Sequence, residues 1–214
     1  MVELLVGLAV GLFIAAAGVT LMAGNLRENR ALMLESRLMQ DLRTASDIIT
    51  RDLRRAGYWA GAVAAVQVPV GTPAVANPYV AVSPSSAASD AVSFAFSRDS
   101  TENQSLDSNE QFGFRLRRGV IEMQLGSSNW QALTDANTVV VSEFRVTPTV
   151  QDIDLAGQCA TACTAADANC PPHQLVRSLS VSIAARSSAD PTVQRSLNSS
   201  VRLRNDSITG SCPA

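Results

Sequence analysis

The chain has 214 residues and a mass of 22.6 kDa, which is room for one domain with an additional element. Nineteen acidic and seventeen basic residues give a formal net charge of -2, which argues against bulk electrostatic capture of nucleic acid. Histidine occurs once, at His173, and this excludes a metal site built from several histidines. The mean hydropathy of +0.11 is high for a soluble protein, and the excess lies in Met1 to Gly24, where Glu3 is the one charged residue. A fully soluble enzyme is therefore disfavoured.

An uncharged run of 21 residues extends from Leu4 to Gly24. At a rise of about 1.5 Å per residue, a helix of this length crosses the hydrocarbon core of a bilayer, which is roughly 30 Å thick. A cleaved secretory signal has a shorter apolar region with basic residues before it, and 21 residues without a polar face is long for a buried helix of a soluble protein. We therefore predict a retained, single-pass membrane helix.

The charges around this run conflict with the cysteines of the chain. Arg27 and Arg30 follow the run and nothing basic precedes it, so the positive-inside rule would place the rest of the chain in the cytoplasm. The even number of cysteines favours an exported, oxidised domain instead. We expect the encoded protein to begin before Met1, with basic residues that remove this conflict. Glu3 lies at the edge of the apolar run, where an unpaired carboxylate is costly, and this indicates a function.

The helical pattern continues beyond the apolar run. From Asn25 to Ala56 there is no Pro or Gly, and apolar residues recur every three or four positions, which predicts an amphipathic helix. This stripe consists of Leu38, Leu42, Ala45, Ile49, Leu53 and Ala56. We predict one helix of about 55 residues that spans the membrane in its first half and ends before Gly57. Gly7 and Gly11 form a small-xxx-small pair, which permits close packing of helices.

The first eight residues, Met-Val-Glu-Leu-Leu-Val-Gly-Leu, resemble the N-terminus of type IV pilin-like proteins. The resemblance implies a basic leader ending in glycine, which a prepilin peptidase removes before it methylates the new N-terminus. It also implies a glutamate as the fifth mature residue. Here that glutamate is Glu3, so we expect the leader and two mature residues to precede Met1. The resemblance implies that Glu3 neutralises the N-terminal amine of a neighbouring subunit within an apolar bundle of helices.

A second segment narrows the resemblance. Arg51 to Trp59, Arg-Asp-Leu-Arg-Arg-Ala-Gly-Tyr-Trp, is similar to the helix end of PilW-type minor pilins. This similarity implies a structural subunit that takes part in pilus assembly near the tip. The implied partners are other minor pilins, the major pilin, the prepilin peptidase, the inner-membrane assembly platform and the membrane lipid, with a tip adhesin as a further candidate. Tyr58 and Trp59 are large amphipathic side chains, and we predict that they anchor the helix to the globular part.

Short alternating segments after the helix predict strands. They are Ala91–Arg98, Phe112–Arg118, Val120–Leu125, Val139–Val146, Leu175–Arg186 and Val193–Arg204, preceded by a long loop with extended pieces at Val66–Val70 and Tyr79–Val82. About five antiparallel strands and one long helix predict an α+β fold, which the resemblance makes pilin-like, with the helix packed on an antiparallel sheet. The expected organisation is an apolar half-helix at 1–24, an amphipathic half-helix at 25–57 and a periplasmic globular domain at 58–214. The protein would lie in the inner membrane and later in the pilus at the cell surface.

The chain has an even set of cysteines, three of which lie in one loop. They are Cys159, Cys163, Cys170 and Cys212. In an exported domain two disulfides are expected, and three pairings are open. The alternative is a zinc site that adds His173, but the spacing lacks the paired C-x2-C of such sites. The resemblance to pilins implies that one disulfide pins a C-terminal loop.

The polar segment after the first long strand resembles a calcium-binding loop only in part. Asp99, Asn103 and Glu110 occupy positions one, five and twelve, but Gln104 stands where glycine is required for the turn. We expect a solvated polar loop there.

Catalysis has little support in the sequence. No nucleophile matches the single histidine, and phosphate-binding glycine loops and metalloprotease motifs are absent. We therefore expect no catalytic site, no metal and no cofactor. A minor pilin is the leading interpretation. A J-type minor pseudopilin of a type II secretion system is the rival, since it shares the helix and topology, and a membrane-anchored periplasmic binding module is a second alternative.

Overall fold

The computed structural model of the chain describes residues 2–62, 76–164, 167 and 169–213. Its first element is helix α1, Val2–Leu53, which runs without interruption through the predicted apolar and amphipathic halves. The extended piece predicted at Val66–Val70 lies outside the described residues. The prediction of one long N-terminal helix is confirmed, but the helix ends at Leu53, so that Ala56 lies in the turn that follows it.

The second half of α1 is amphipathic, as its sequence pattern predicts. All six residues of the apolar stripe are buried, and Leu42, Ile49 and Leu53 are completely enclosed. Residues three and four apart lie on one face of a helix, so the stripe forms a continuous contact surface. This face joins α1 to the rest of the domain.

The chain leaves α1 through a tight turn at Gly57. This residue has a φ of +74°, a left-handed conformation that glycine adopts without steric cost. Its N–H donates to the carbonyl of Ala95 at 2.8 Å, and the side-chain amide of Asn205 donates to the carbonyl of Ala56 at 3.3 Å. The helix end is thus fixed to the sheets from two sides.

The first sheet is an antiparallel meander of five strands in chain order. They are β1 (Val82–Ser83), β2 (Ala91–Ala95), β3 (Gln111–Arg117), β4 (Val120–Leu125) and β5 (Trp130–Ala132). A turn at Arg118 and Gly119 joins β3 to β4 in the predicted hairpin. The register pairs Phe94 with Phe112, and the ring of Phe112 stacks on Phe96 with centroids 4.0 Å apart.

The second sheet is built around one long central strand. Its members are β6 (Val139–Asp154), β7 (His173–Ser187), β8 (Gln194–Arg202) and β9 (Ser207–Thr209). β7 pairs with β6 along one edge and with β8 and then β9 along the other. The loop between β6 and β7 carries three of the four cysteines, so the hairpin presents it at the end of the sheet.

One hydrophobic core joins the helix to both sheets. It contains the stripe of α1, the phenylalanines of β2 and β3, and the inward residues of β6 and β7 such as Phe144 and Ile183. α1 packs on β7 and β8, and the first sheet packs on β6. Ser89 exchanges two backbone hydrogen bonds with Val146, at 3.0 and 2.8 Å, and so links the two sheets edge to edge.

The α+β, pilin-like fold is confirmed, but the expectation of about five strands is too low. The described residues form nine strands in two sheets. Three of them, β1, β5 and β9, have only two or three residues each, too few for alternation to reveal them. β6 also extends eight residues beyond the predicted end at Val146, past Pro148.

Candidate functional site

The first half of α1 is an apolar surface that the rest of the described chain leaves uncovered. The side chains from Val2 to Arg30 are exposed, including Leu4 at 79% and Phe13 at 83%. An 18-residue window of α1 has a mean hydropathy of 2.5, with none of it buried. By length and composition this helix is compatible with membrane anchoring. An apolar surface of this extent requires lipid or other protein chains to cover it.

Glu3 lies in the first turn of α1, where unpaired N–H groups give a helix a partial positive charge. No arginine of the described residues forms an ion pair with it. The first arginine along the chain is Arg27, which stands roughly 36 Å further along the helix at 1.5 Å per residue. Along the helix, no arginine of the described residues is therefore within reach of Glu3.

Gly7 and Gly11 face open space in the described structure. A methyl group built on either residue would meet no atom of the described chain within 4 Å. The fold of this chain therefore does not require glycine at these positions. The role of the pair in packing against another helix stays a prediction.

The junction after α1 places Tyr58 and Trp59 differently. Trp59 is 5% exposed and packs with Tyr79 and Ala95 in a small second core. Tyr58 is 52% exposed, and its carbonyl accepts the N–H of Ser97 at 2.9 Å. The ring of Trp59 thus contacts the sheet, whereas the ring of Tyr58 is available at the surface.

A buried tyrosine at this junction was not predicted from the sequence. Tyr79 is fully buried, and its hydroxyl is shared between Glu102 Oε1 and the carbonyl of Ser105, both at 3.1 Å. Burial, together with the hydrogen bond to Glu102, raises the pKa of Tyr79 well above its ordinary value. Burial alone would raise the pKa of Glu102, but hydrogen bonds from Ser97, the Gln104 N–H and Tyr79 outweigh it and lower that pKa. A single tyrosine after a long loop carries no periodic signal that could have identified this network.

Most of the polar loop is exposed, as the sequence predicts, but Glu110 at its end is completely buried. Its two carboxylate oxygens accept the N–H groups of Arg98 and Asp107, at 2.8 and 2.9 Å. Asn103 is engaged by Ser105 and Asp107 within the loop. The side chains of Glu110 and Asn103 thus form hydrogen bonds within the loop. The short spacing Asp107-x-x-Glu110 resembles a capping box, and it could have signalled this local role.

The four cysteines form two disulfides, one of which holds the C-terminal tail on the β6–β7 loop. Cys159 pairs with Cys212 across 53 residues, and Cys163 pairs with Cys170 across 7. The structure thereby selects one of the three pairings that the sequence leaves open. The tail also packs closely on the loop, because a methyl group on Gly210 would lie 2.5 Å from the carbonyl oxygen of Asn169.

The cysteine cluster bears directly on the zinc alternative. The sulfurs of Cys159, Cys163 and Cys170 lie within 4.8 Å of one another, but each is consumed by a disulfide, and zinc binds thiolates. His173 is engaged elsewhere, with its Nδ1 2.7 Å from Asp152 Oδ1. The arrangement suits a covalent clamp on the tail.

The comparisons with known proteins connect this architecture to one family. The model of the family described as prepilin peptidase-dependent protein B matches residues 31–203. The match covers most of the amphipathic half of α1 and nearly all of the two sheets. Comparisons with the curated proteins and with the solved structures gave no match.

Proposed function

The chain belongs to the family of prepilin peptidase-dependent protein B, and on this premise we propose that it is a minor pilin of PilW type. It acts as a structural subunit that takes part in the assembly of a type IV pilus near the tip. Membership connects the chain to pilus or pseudopilus systems that depend on a prepilin peptidase. The similarity of Arg51–Trp59 to PilW-type helix ends supports the narrower assignment.

The uncovered apolar half of α1 is the observation that carries the proposal. The first turns of this helix contact nothing else in the described chain, and two environments can cover their apolar side chains. Lipid covers it while the subunit waits in the membrane, and neighbouring helices cover it in the filament. Glu3 supplies the specificity for the second environment, because a carboxylate in an apolar bundle is costly until a cation pairs with it.

The proposed organisation follows from this role. Residues 1–24 anchor the subunit in the inner membrane, and residues 25–57 pack against the sheets of the same subunit. Residues 58–214 form a domain in the periplasm. The two disulfides support export to an oxidising compartment. The partners in this proposal are other minor pilins, the major pilin, the prepilin peptidase and the inner-membrane assembly platform.

A substitution of Glu3 tests the assembly role. In a strain that lacks the gene and is complemented with Glu3→Gln, we expect normal amounts of protein in the membrane fraction. We expect surface pili to fall by about tenfold or more, because loss of one partner of a buried ion pair costs about 3–5 kcal/mol. Pili are counted by electron microscopy and quantified in the sheared surface fraction.

Glu28→Gln is the matched control, since Glu28 lies on the same helix beyond the apolar run and is exposed. It should leave both the membrane amount and the pilus count unchanged. Wild-type piliation in the Glu3→Gln strain would contradict the role assigned to this carboxylate.

The same strains separate the alternative functions. Loss of type II secretion with normal pili would identify a J-type minor pseudopilin instead. A deletion strain with normal pili and normal secretion would favour a membrane-anchored periplasmic binding module.

A further inference from the structure

We propose that an arginine-lined cleft at the end of α1 binds the carboxylates of an acidic segment on another protein chain. The cleft has a volume of about 510 Å³ and lies where α1, the end of β2 and the segment after β8 meet. Its lining includes Arg51, Arg54, Arg55, Tyr58, Ser97 and Arg204. The proposal rests on the proposed function only in taking that chain to be another subunit of the assembly.

The cleft concentrates positive charge in a chain whose net charge is -2. Arg51 has a partner, because its Nε lies 3.5 Å from the carboxylate of Asp52. Arg54 and Arg204 form no ion pair with any carboxylate of the described residues. Arg54 and Arg204 therefore bring positive charge to the cleft without a paired counter-charge, and this arrangement favours an anionic occupant.

The helix dipole explains only part of this cluster. Cations in the last turn of a helix are stabilised by the partial negative charge of its C-terminus, which accounts for Arg54 and Arg55. Arg204 comes from the far end of the chain. Its neighbour Asn205 holds it at the cleft through two hydrogen bonds. The side-chain amide of Asn205 donates to the carbonyl of Ala56, and the backbone carbonyl of Asn205 accepts a hydrogen bond from Arg177 Nη2 at 3.0 Å. These contacts therefore place a further cation at the cleft that the helix dipole does not account for.

The donors of the cleft suit planar carboxylates. The guanidinium of Arg55 stacks on the ring of Phe96, with its central carbon 4.1 Å from the ring centroid. Stacking fixes the plane of a guanidinium and leaves the N–H groups at its edge free to form paired hydrogen bonds with a carboxylate.

The exposed ring of Tyr58 at the cleft favours a protein as the occupant. Tyrosine and arginine are the side chains enriched at the energetic centres of protein interfaces. Tyr58 supplies apolar area beside the arginines, and its hydroxyl can donate or accept a hydrogen bond. An acidic segment with neighbouring apolar side chains would use both features.

Membrane lipid is out of reach of the cleft. Between Gly24 and Arg54 the helix extends roughly 45 Å at 1.5 Å per residue. Charges in solution are largely screened beyond about 10 Å at moderate salt. Anionic headgroups at the end of the apolar run therefore do not neutralise this cluster.

Nucleic acid fits the surroundings less well than an acidic protein segment. A long polyanion needs an extended basic path and several stacking rings, whereas this cleft offers Tyr58 as its exposed aromatic side chain. The loop that follows Ser97 carries acidic residues at Asp99, Glu102 and Asp107. These carboxylates would repel a long polyanion that extends past the cleft, so the cleft suits a short run of carboxylates.

Binding of an acidic peptide by the full chain tests this inference. The protein is held in micelles of a non-ionic detergent, and the probe is a fluorescein-labelled hexaglutamate peptide measured by fluorescence anisotropy. We expect saturable binding that weakens as NaCl rises from about 50 to about 300 mM, with no binding of hexaglutamine. We expect Arg54→Gln/Arg204→Gln to weaken binding by about tenfold or more, because it removes two charge-assisted contacts.

The matched control is Arg117→Gln/Arg186→Gln, which removes two exposed arginines outside the cleft and should change the affinity by less than about twofold. Arg54→Glu is an independent single variant that should abolish binding. Thermal unfolding of each variant checks that the fold is intact. Unchanged affinity in the cleft variants, or an equal loss in the control, would overturn the proposal.

A thymidylate dodecamer supplies the alternative ligand. Tighter binding of this oligonucleotide than of hexaglutamate, with the same dependence on Arg54 and Arg204, would reassign the cleft to nucleic acid and overturn the proposal. Failure of this inference is distinguishable from failure of the proposed function. The first would leave the piliation defect of a deletion strain intact, and the second would leave peptide binding intact.

Discussion

One buried carboxylate, Glu110, organises the polar loop between β2 and β3. Glu110 has no access to solvent, yet its charge is satisfied because both oxygens accept backbone N–H groups. A charge held in this way organises the loop around it. The spacing of acidic residues matches a calcium-binding loop only in part, and in the structure the buried acid of this segment holds the loop itself.

The hydroxyl of Tyr79 is expected to make the stability of the domain depend on alkaline pH. Because burial and Glu102 raise the pKa of Tyr79, the folded chain favours the neutral phenol. Its contribution is fully present below the unfolded pKa of about 10 and is lost as pH rises, since the unfolded chain ionises first. We expect the free energy of unfolding to fall from about pH 9 to about pH 11, and to fall less in Tyr79→Phe.

Urea unfolding followed by circular dichroism, in detergent, measures this slope. The chain contains no lysine, and its four cysteines are bonded, so the two tyrosines dominate the side-chain titration in this range. Tyr58→Phe, at the exposed position, should keep the slope of the wild type. Equal slopes for the wild type and Tyr79→Phe would show that the buried hydroxyl has no such role.

At the scale of elements, α1 combines two different surfaces in one continuous helix. The difference between them is tested by truncating one leucine in each environment. Leu42 is 0% exposed and Leu32 is 62% exposed. We expect Leu42→Ala to reduce the free energy of unfolding by about 2–5 kcal/mol, because it leaves a cavity in the core. Leu32→Ala should change it by less than about 0.5 kcal/mol.

Chemical denaturation of both variants in the same detergent provides the measurement. The comparison holds residue type and helix constant and varies only burial. A similar loss of stability in the two variants would mean that the sheets do not cover α1 as described.

The helix was predictable from the sequence, whereas the extent of the strands was not. The stripe from Leu38 to Ala56 repeats with helical period, so it identifies both the helix and its buried face. Pro148 suggests a strand end, but Val146 donates its N–H away from β7 to Ser89. Pro148 has the same orientation two residues later, so its missing N–H costs no bond to β7. The sequence does not show this orientation, because it depends on which side of β6 pairs with β7.

At the scale of the whole molecule, some features depend on contacts between residues far apart in the chain, and local sequence patterns do not show them. The composition indicated two disulfides, but the choice of Cys212 as partner of Cys159 depends on β9 lying beside the start of β7. The arginine cleft likewise requires Arg204 and Arg54 to meet across 150 positions of sequence. The exposed apolar half-helix was visible from composition alone, since it depends on local residues.

Removal of the apolar half of α1 is expected to separate anchoring from folding. The first fully buried side chain of the described chain is Leu38, and residues 2–30 are exposed throughout. A variant that begins at Arg27 therefore keeps every core residue and loses the surface that requires lipid. We expect it to be soluble without detergent and to unfold with a midpoint temperature within about 4 °C of the full chain in micelles, since the core is unchanged.

The full chain without detergent should aggregate, as measured by light scattering. Aggregation of the shortened variant, or loss of its cooperative unfolding, would show that the apolar half contributes to the fold of the domain as well as to its anchoring.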